Sequence, residues 1–143
     1  MPGAIQISEA ASIGLHTTLV MAEEPERFWN AQELSERLQV SAAHLAKVMQ
    51  ALGRAGLVKS LRGPKGGCRL AKPADEITLL EVYEAIEGPM HTDECLLEKT
   101  VCKGNQCQIG KNIRLMNQQI RKMLAESTLE SVRIPDIAVG KKQ

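Results

Sequence analysis

Aromatic side chains are nearly missing from this chain. Phe28, Trp29 and Tyr83 are the only three in 143 residues. Proteins that hold single-stranded nucleic acid stack its bases on exposed rings, and three rings argue against that class. The core must instead be aliphatic, built from Leu, Ile, Val, Ala and Met. No apolar run approaches the roughly 20 residues that cross a bilayer, so no membrane partner is expected. The N-terminus lacks a basic segment followed by an apolar run, so a secretory signal is not expected and the predicted location is cytoplasmic. Low-complexity tracts and internal repeats are also missing. No Ser-His-Asp or Cys-His arrangement has a supporting motif, which argues against an enzyme.

The most telling absence is local. From Leu38 to Ala74 there is no Asp or Glu, while Lys47, Arg54, Lys59, Arg62, Lys65, Arg69 and Lys72 are all present. The whole chain carries a net charge of only +1. One segment therefore holds the positive charge and the remainder is acidic. A basic field concentrated in this way is the electrostatic signature of a phosphate-binding face, although a solvated Lys/Arg surface would share it.

The length suits one domain, or a small domain with an appendage. Helical periodicity dominates. Ile5 to Ala22 reads as a first helix, with Ile13, Leu15, Leu19 and Val20 apolar, closed before Pro25. Asn30 and Glu33 have the spacing of a capping box at the start of a second helix, buried through Leu34 and Leu38. A turn at Gln39-Val40 leads to Ser41, an N-cap for a third helix with Leu45, Val48, Leu52 and Met49 inward. Gly56 marks its end. Two helices joined by so short a turn form a helix-turn-helix. Strand character over 57–61, a glycine-rich turn over 62–67 and a return strand over 68–70 add a β-hairpin wing. The 63–67 turn lacks the spacing of a nucleotide phosphate loop and its Lys-Ser/Thr pair. A helix follows, capped by Thr78 and Glu81, with Leu79, Val82, Tyr83 and Ile86 apolar, ending at Gly88-Pro89. Finally, Ile109, Ile113, Met116, Ile120, Met123 and Ser127 recur at alternating spacings of four and three. They mark the seam of a long helix suited to self-association or to docking on its own domain. The expected fold is mainly α with a small β-hairpin wing. Residues 1–88 would form the winged helix-turn-helix DNA-binding domain, 89–107 a cysteine-containing sensor loop, 108–132 the dimerisation helix and 133–143 a loose tail.

A recognition helix reads the major groove mainly with its first two turns. Those positions are Ser41, Ala42, Ala43, His44 and Lys47, with Gln50 and Arg54 further along. Ser41 and Lys47 suit phosphate, the alanines a thymine methyl, and His44 and Gln50 base edges. His44 could equally be a surface histidine packing on its neighbours. In the wing, Arg62 and Lys65 can enter the minor groove or clamp the backbone, flanked by Lys59 and Arg69.

The four cysteines form no Cys-x-x-Cys pair, so a zinc ribbon and a thioredoxin motif both fit poorly. Cys68 falls in the predicted wing, where a small buried apolar residue is the simplest reading. Cys95, Cys102 and Cys107 fall in or beside one loop. Three thiolates so placed can hold an iron–sulfur cluster if a fourth ligand comes from elsewhere. Lys99, Lys103 and Lys111 would offset their charge. Cys107 directly precedes the long helix, whose positive end favours thiolate.

Three runs carry a family resemblance: 55–67 through the wing, 70–73 with 77–79 and 85–88 in the next helix, and 127–132 after the long helix. The sequence resembles the winged-helix regulators of the Rrf-two family, which includes IscR, NsrR and CymR. That resemblance implies a homodimer that binds a palindromic double-stranded DNA operator, usually as a repressor, with the long helix as dimer interface. In cluster-binding members three loop cysteines ligate a [2Fe–2S] or [4Fe–4S] cluster, and these correspond to Cys95, Cys102 and Cys107. Where some members place a ligating His, this chain has Gly110. Where others use an acidic residue of the first helix, it has Ser12. The fourth ligand stays open among Glu9, Ser12, His91, Glu94 and Glu98. The alternatives are a metal-free regulator sensing oxidant by thiol–disulfide chemistry, and an adaptor whose winged helix docks proteins rather than DNA.

Overall fold

A computed structural model describes residues 7–90 and 107–132. The elements run α1 (Glu9–Glu23), α2 (Ala31–Leu38), α3 (Ala42–Arg54), β1 (Val58–Leu61), β2 (Gly67–Leu70), a single 3-10 turn (Ala74–Glu76), α4 (Leu79–Glu87) and α5 (Gln108–Glu126). The mainly helical fold with one antiparallel hairpin is the one the periodicity predicts.

Local chemistry sets the boundaries. The first helix is expected from Ile5 but begins at Glu9. Ser8 is extended and its hydroxyl accepts the Ala11 N–H at 3.0 Å, which fixes the start. Asn30 and Glu33 form the expected capping box of α2. Gln39 ends α2 in the left-handed conformation (φ 55°), and Ser41 caps α3 by accepting the His44 N–H at 3.0 Å. Gly56, at φ 75°, turns the chain out of α3 without the clash a side chain would bring. Thr78 and Glu81 form a second capping box, opening α4.

The main core gathers Ile13 and Val20 of α1, Leu34 of α2, Leu45, Val48 and Leu52 of α3, Leu57, Val58, Leu70, Ile77 and Val82. Leu34, Leu45 and Leu52 have no exposed surface, and each such leucine contributes about 1.5–3 kcal/mol by leaving water. α1 approaches this core closely at Gly14, where an added Cβ would collide with Cδ1 of Ile86 on α4.

In the hairpin, Val58 pairs with Leu70 and Leu61 with Gly67. The α1–α2 connection adds an isolated bridge to β2: the Trp29 N–H donates to the Cys68 carbonyl at 2.8 Å, and the Cys68 N–H donates to the Trp29 carbonyl at 2.7 Å. Gly67 sits at φ 154°, and a Cβ there would lie 2.6 Å from the Trp29 carbonyl carbon. Only glycine lets the two backbones meet this closely. Cys68 is half-buried rather than buried, and its sulfur lies 3.2 Å from the Ser60 hydroxyl.

The long helix packs on α4 through Leu124, which clusters with Leu80 and Tyr83 and is flanked by Ile120 and Ala125; Gly110 and Asn117 are its other buried residues. Behind it, the Leu79 N–H donates to the Ser127 carbonyl and the Leu129 N–H to the Ile77 carbonyl, both at 2.9 Å. Leu129 is thereby buried in the main core. The predicted sensor segment lies outside the described residues apart from Pro89, Met90 and Cys107, and the predicted tail, 133–143, lies wholly outside them.

Candidate nucleic-acid interface and cysteine site

Recognition helices need their apolar residues inward and their first turns open. α3 meets both needs. Leu45, Val48, Met49 and Leu52 are buried, while Ser41, Ala42, Ala43, Lys47, Gln50 and Arg54 are exposed. His44 is half-buried, and its Nδ1 lies 3.9 Å from Glu9 Oε1 at the start of α1. The Ser41 hydroxyl spends a lone pair on the cap and keeps its proton for a phosphate oxygen.

The acid-free segment holds seven cations, but the fold divides them. Arg69 donates to Glu26 Oε2 at 3.1 Å and lies over the Phe28 ring, 4.6 Å from its centroid. Lys72 is 3.4 Å from Glu81 Oε1. Lys47, Arg54, Lys59, Arg62 and Lys65 pair with no carboxylate among the described residues. They are also exposed. Two cations are thus neutralised within the fold, and five remain on α3 and the adjoining hairpin. The hairpin follows α3 directly, with the Leu57 N–H bonded to the Leu52 carbonyl at 3.0 Å. The Gly66 N–H donates to the Gly63 carbonyl at 2.9 Å and closes the turn that carries Arg62 and Lys65.

The aromatic pair has a role that sequence reasoning missed. Trp29 is buried beneath the Arg27 guanidinium, which lies 3.8 Å from its ring centroid. Phe28 lies under Arg69. Two of the three aromatic residues therefore anchor the α1–α2 connection to the base of the wing. Their adjacency to each other and to Arg27 was the available signal.

Cys107 is free and exposed, and caps α5: its sulfur accepts the Gly110 N–H at 3.4 Å. Cys95, Cys102, His91, Glu94 and Glu98 lie outside the described residues. Among the described residues, no group of three His, Cys, Asp or Glu stands ready to hold a metal. Of the other candidate ligands, Glu9 faces His44, and Ser12 is half-buried with its carbonyl 2.7 Å from His16 Nδ1. Near the exit of α4, burial lifts the Tyr83 phenol above its usual pKa, helped by the Glu87 and Glu84 carboxylates. The Met90 N–H donates to Glu84 Oε2 at 3.0 Å, so the chain leaves this helix on a fixed path.

A helix-turn-helix with an open recognition helix and a basic wing defines a winged-helix protein. The chain belongs to the Rrf2 family, whose model, described as an iron-dependent transcriptional regulator, matches residues 7–133. It is 35% identical over 104 residues to YwgB of Bacillus subtilis, a protein named among HTH-type transcriptional regulators; the match covers 71% of this chain and 67% of YwgB. The fold is similar to that of CymR, the global cysteine regulator of B. subtilis, with a TM-score of 0.76 and 24% identity over 89% of this chain and 95% of CymR. It is also similar to the oxidized form of Staphylococcus aureus CymR, with a TM-score of 0.74 and 26% identity over 92% of this chain and 98% of that one. The chain is thus a transcriptional regulator of the winged-helix type. None of its described helices is long and apolar enough to cross a membrane.

Proposed function

We propose that this regulator is a homodimer that represses from a palindromic DNA operator, its affinity set by an iron–sulfur cluster on Cys95, Cys102 and Cys107. The observation that carries the DNA reading is the division of the basic segment. Lys47, Arg54, Lys59, Arg62 and Lys65 have no carboxylate partner among the described residues and lie exposed along α3 and the adjoining hairpin. Cations held this way release counterions from duplex DNA and make binding strongly salt-dependent. Ser41, Ala42, Ala43, His44 and Gln50 supply the base-reading and positioning groups. Residues 1–88 serve as the reading unit, 89–107 as the sensor and 108–132 as the dimer contact.

The cluster reading rests on three cysteines in one stretch of sequence and on Cys107, whose position at a helix N-terminus suits a ligating thiolate. The iron dependence of the family supports it. When bound, such a cluster would supply redox and nitric-oxide sensitivity. The fourth ligand would come from Glu9, Ser12, His91, Glu94 or Glu98. A second reading uses the same cysteine: free and exposed, Cys107 can form a disulfide with Cys95 or Cys102 and need no metal.

Anaerobic purification, an absorption spectrum, and an iron and sulfide assay separate the two. A brown protein with stoichiometric sulfide, bleached by Cys102→Ala, is expected. A colourless protein whose cysteines oxidise reversibly would favour the thiol switch. Absence of duplex binding at low salt in every metal and thiol state would remove the DNA reading itself.

A further inference from the structure

We propose that Glu9 is a positioning residue for His44. It fixes the imidazole proton on Nδ1, so the recognition helix presents Nε2 as a hydrogen-bond acceptor to an adenine or cytosine amino group. The inference rests on α3 being the groove-reading helix and adds the base chemistry that one of its residues selects.

α3 has no acidic residue in its own first turn. The carboxylate beside His44 arrives from another helix: Glu9 Oε1 lies 3.9 Å from His44 Nδ1. A small side-chain adjustment brings that separation to hydrogen-bond length. The backbone carrying Glu9 is well held. Ser8 caps α1 through the Ala11 N–H, and its hydroxyl donates to Glu87 at the end of α4. Ala11 and Ile13, in the first turns of α1, are buried. The carboxylate also places negative charge near the N-terminal end of α3, where the helix dipole favours it. These contacts fix the backbone at Glu9, while its side chain, 78% exposed, can turn toward the imidazole.

A carboxylate only accepts hydrogen bonds, so the ring nitrogen that bonds to it must carry a proton. In the neutral ring, Nε2 then has a lone pair and no hydrogen. Guanine offers acceptors at N7 and O6 in the major groove, and thymine offers O4, so neither can pair with that nitrogen. Adenine N6 and cytosine N4 both donate, and both fit it. Without Glu9 the ring is free to put its proton on Nε2 and bond guanine instead.

The test has two arms. The first uses nitrogen-15 spectra of the imidazole rings in the full-length, metal-free protein without DNA, with His44 assigned by its loss in His44→Gln. The expected result is a protonated Nδ1 and a bare Nε2 in the wild type, retained in Glu9→Gln, whose amide oxygen still accepts. In Glu9→Ala the proton should move toward Nε2. The second arm selects duplexes from a randomised pool. Wild type should favour adenine or cytosine about tenfold at one position of each half-site, a difference expected for a base contact of about 1.4 kcal/mol. Glu9→Ala and His44→Ala should each erase that preference, the double variant should erase nothing more, and the salt dependence should stay unchanged. The proposal is overturned by a protonated Nε2 in the wild type, by selection of guanine, or by the two variants acting on different base pairs. If no duplex is enriched, the groove-reading role of α3 falls and the base preference with it. A proton found on Nδ1 in that case would still show the Glu9–His44 contact to be real, so the two failures are distinguishable.

Discussion

α3 and α5 are built on opposite plans. α3 buries Leu45, Val48, Met49 and Leu52 and turns alanines, amides and cations outward. α5 buries Gly110, Asn117 and Leu124 and leaves Ile109, Met116 and Met123 exposed by 63%, 56% and 59%. α3 is therefore satisfied within its own chain and offers a charged surface to something polyanionic. α5 is only half satisfied. Its buried row is seven residues apart, and an apolar row about 100° around the helix is exposed. A helix that exposes large apolar side chains at heptad spacing suits a partner surface of the same kind, and in the proposed homodimer a second copy would supply it.

The largest expected effect would test the first half of this contrast. Leu45→Ala should cost about 3 kcal/mol of stability, measured by chemical denaturation, because it opens a cavity under α3. A loss below about 1 kcal/mol would mean that α3 is not anchored as described. Next comes the seam. Met116→Glu with Met123→Glu should weaken self-association by about 100-fold, read by sedimentation, while the monomer keeps its helical spectrum. An unchanged dimer would assign the exposed row to another role.

The cations sharpen the comparison further. Arg62→Ala should weaken duplex binding about tenfold and lower the salt slope by about one per protomer. Arg69→Ala should leave that slope nearly unchanged, since Arg69 is already paired with Glu26. Equal slopes for the two variants would contradict the division of charge. The smallest effect concerns Tyr83, the only tyrosine. Its phenol should ionise above the usual value of 10.0, followed by ultraviolet absorbance. The folded state holds this proton more tightly than the unfolded one. Its stabilising contribution is therefore complete below pH 10 and is lost as pH climbs through the raised folded value. Glu87→Gln should bring the titration partway down, because one of the carboxylates that raise it is gone.

Much of this was legible because it is local. The Asn30–Glu33 and Thr78–Glu81 boxes, the Ser41 cap, the Gly56 stop and the glycine turn of the wing each depend on residues within a few positions of one another. The start of the first helix is less legible, because apolar periodicity extends back to Ile5 whereas the Ser8 hydroxyl decides where the ladder begins. A small apolar residue in a wing strand is expected to be buried, but the exposure of Cys68 depends on how Trp29 covers the hairpin.

By itself, the sequence determined the helical pattern, the capping chemistry, the hairpin and the concentration of positive charge, all of which follow from spacing along one chain. Only the tertiary structure decided which cations stay unpaired. Arg69 meets Glu26 across 43 positions, and nothing in either neighbourhood announces that pairing. The same holds for Glu9 against His44 and for the buried row of α5. Electrostatics and packing act between groups that are close in space, and sequence separation carries no record of that closeness until the helices are packed.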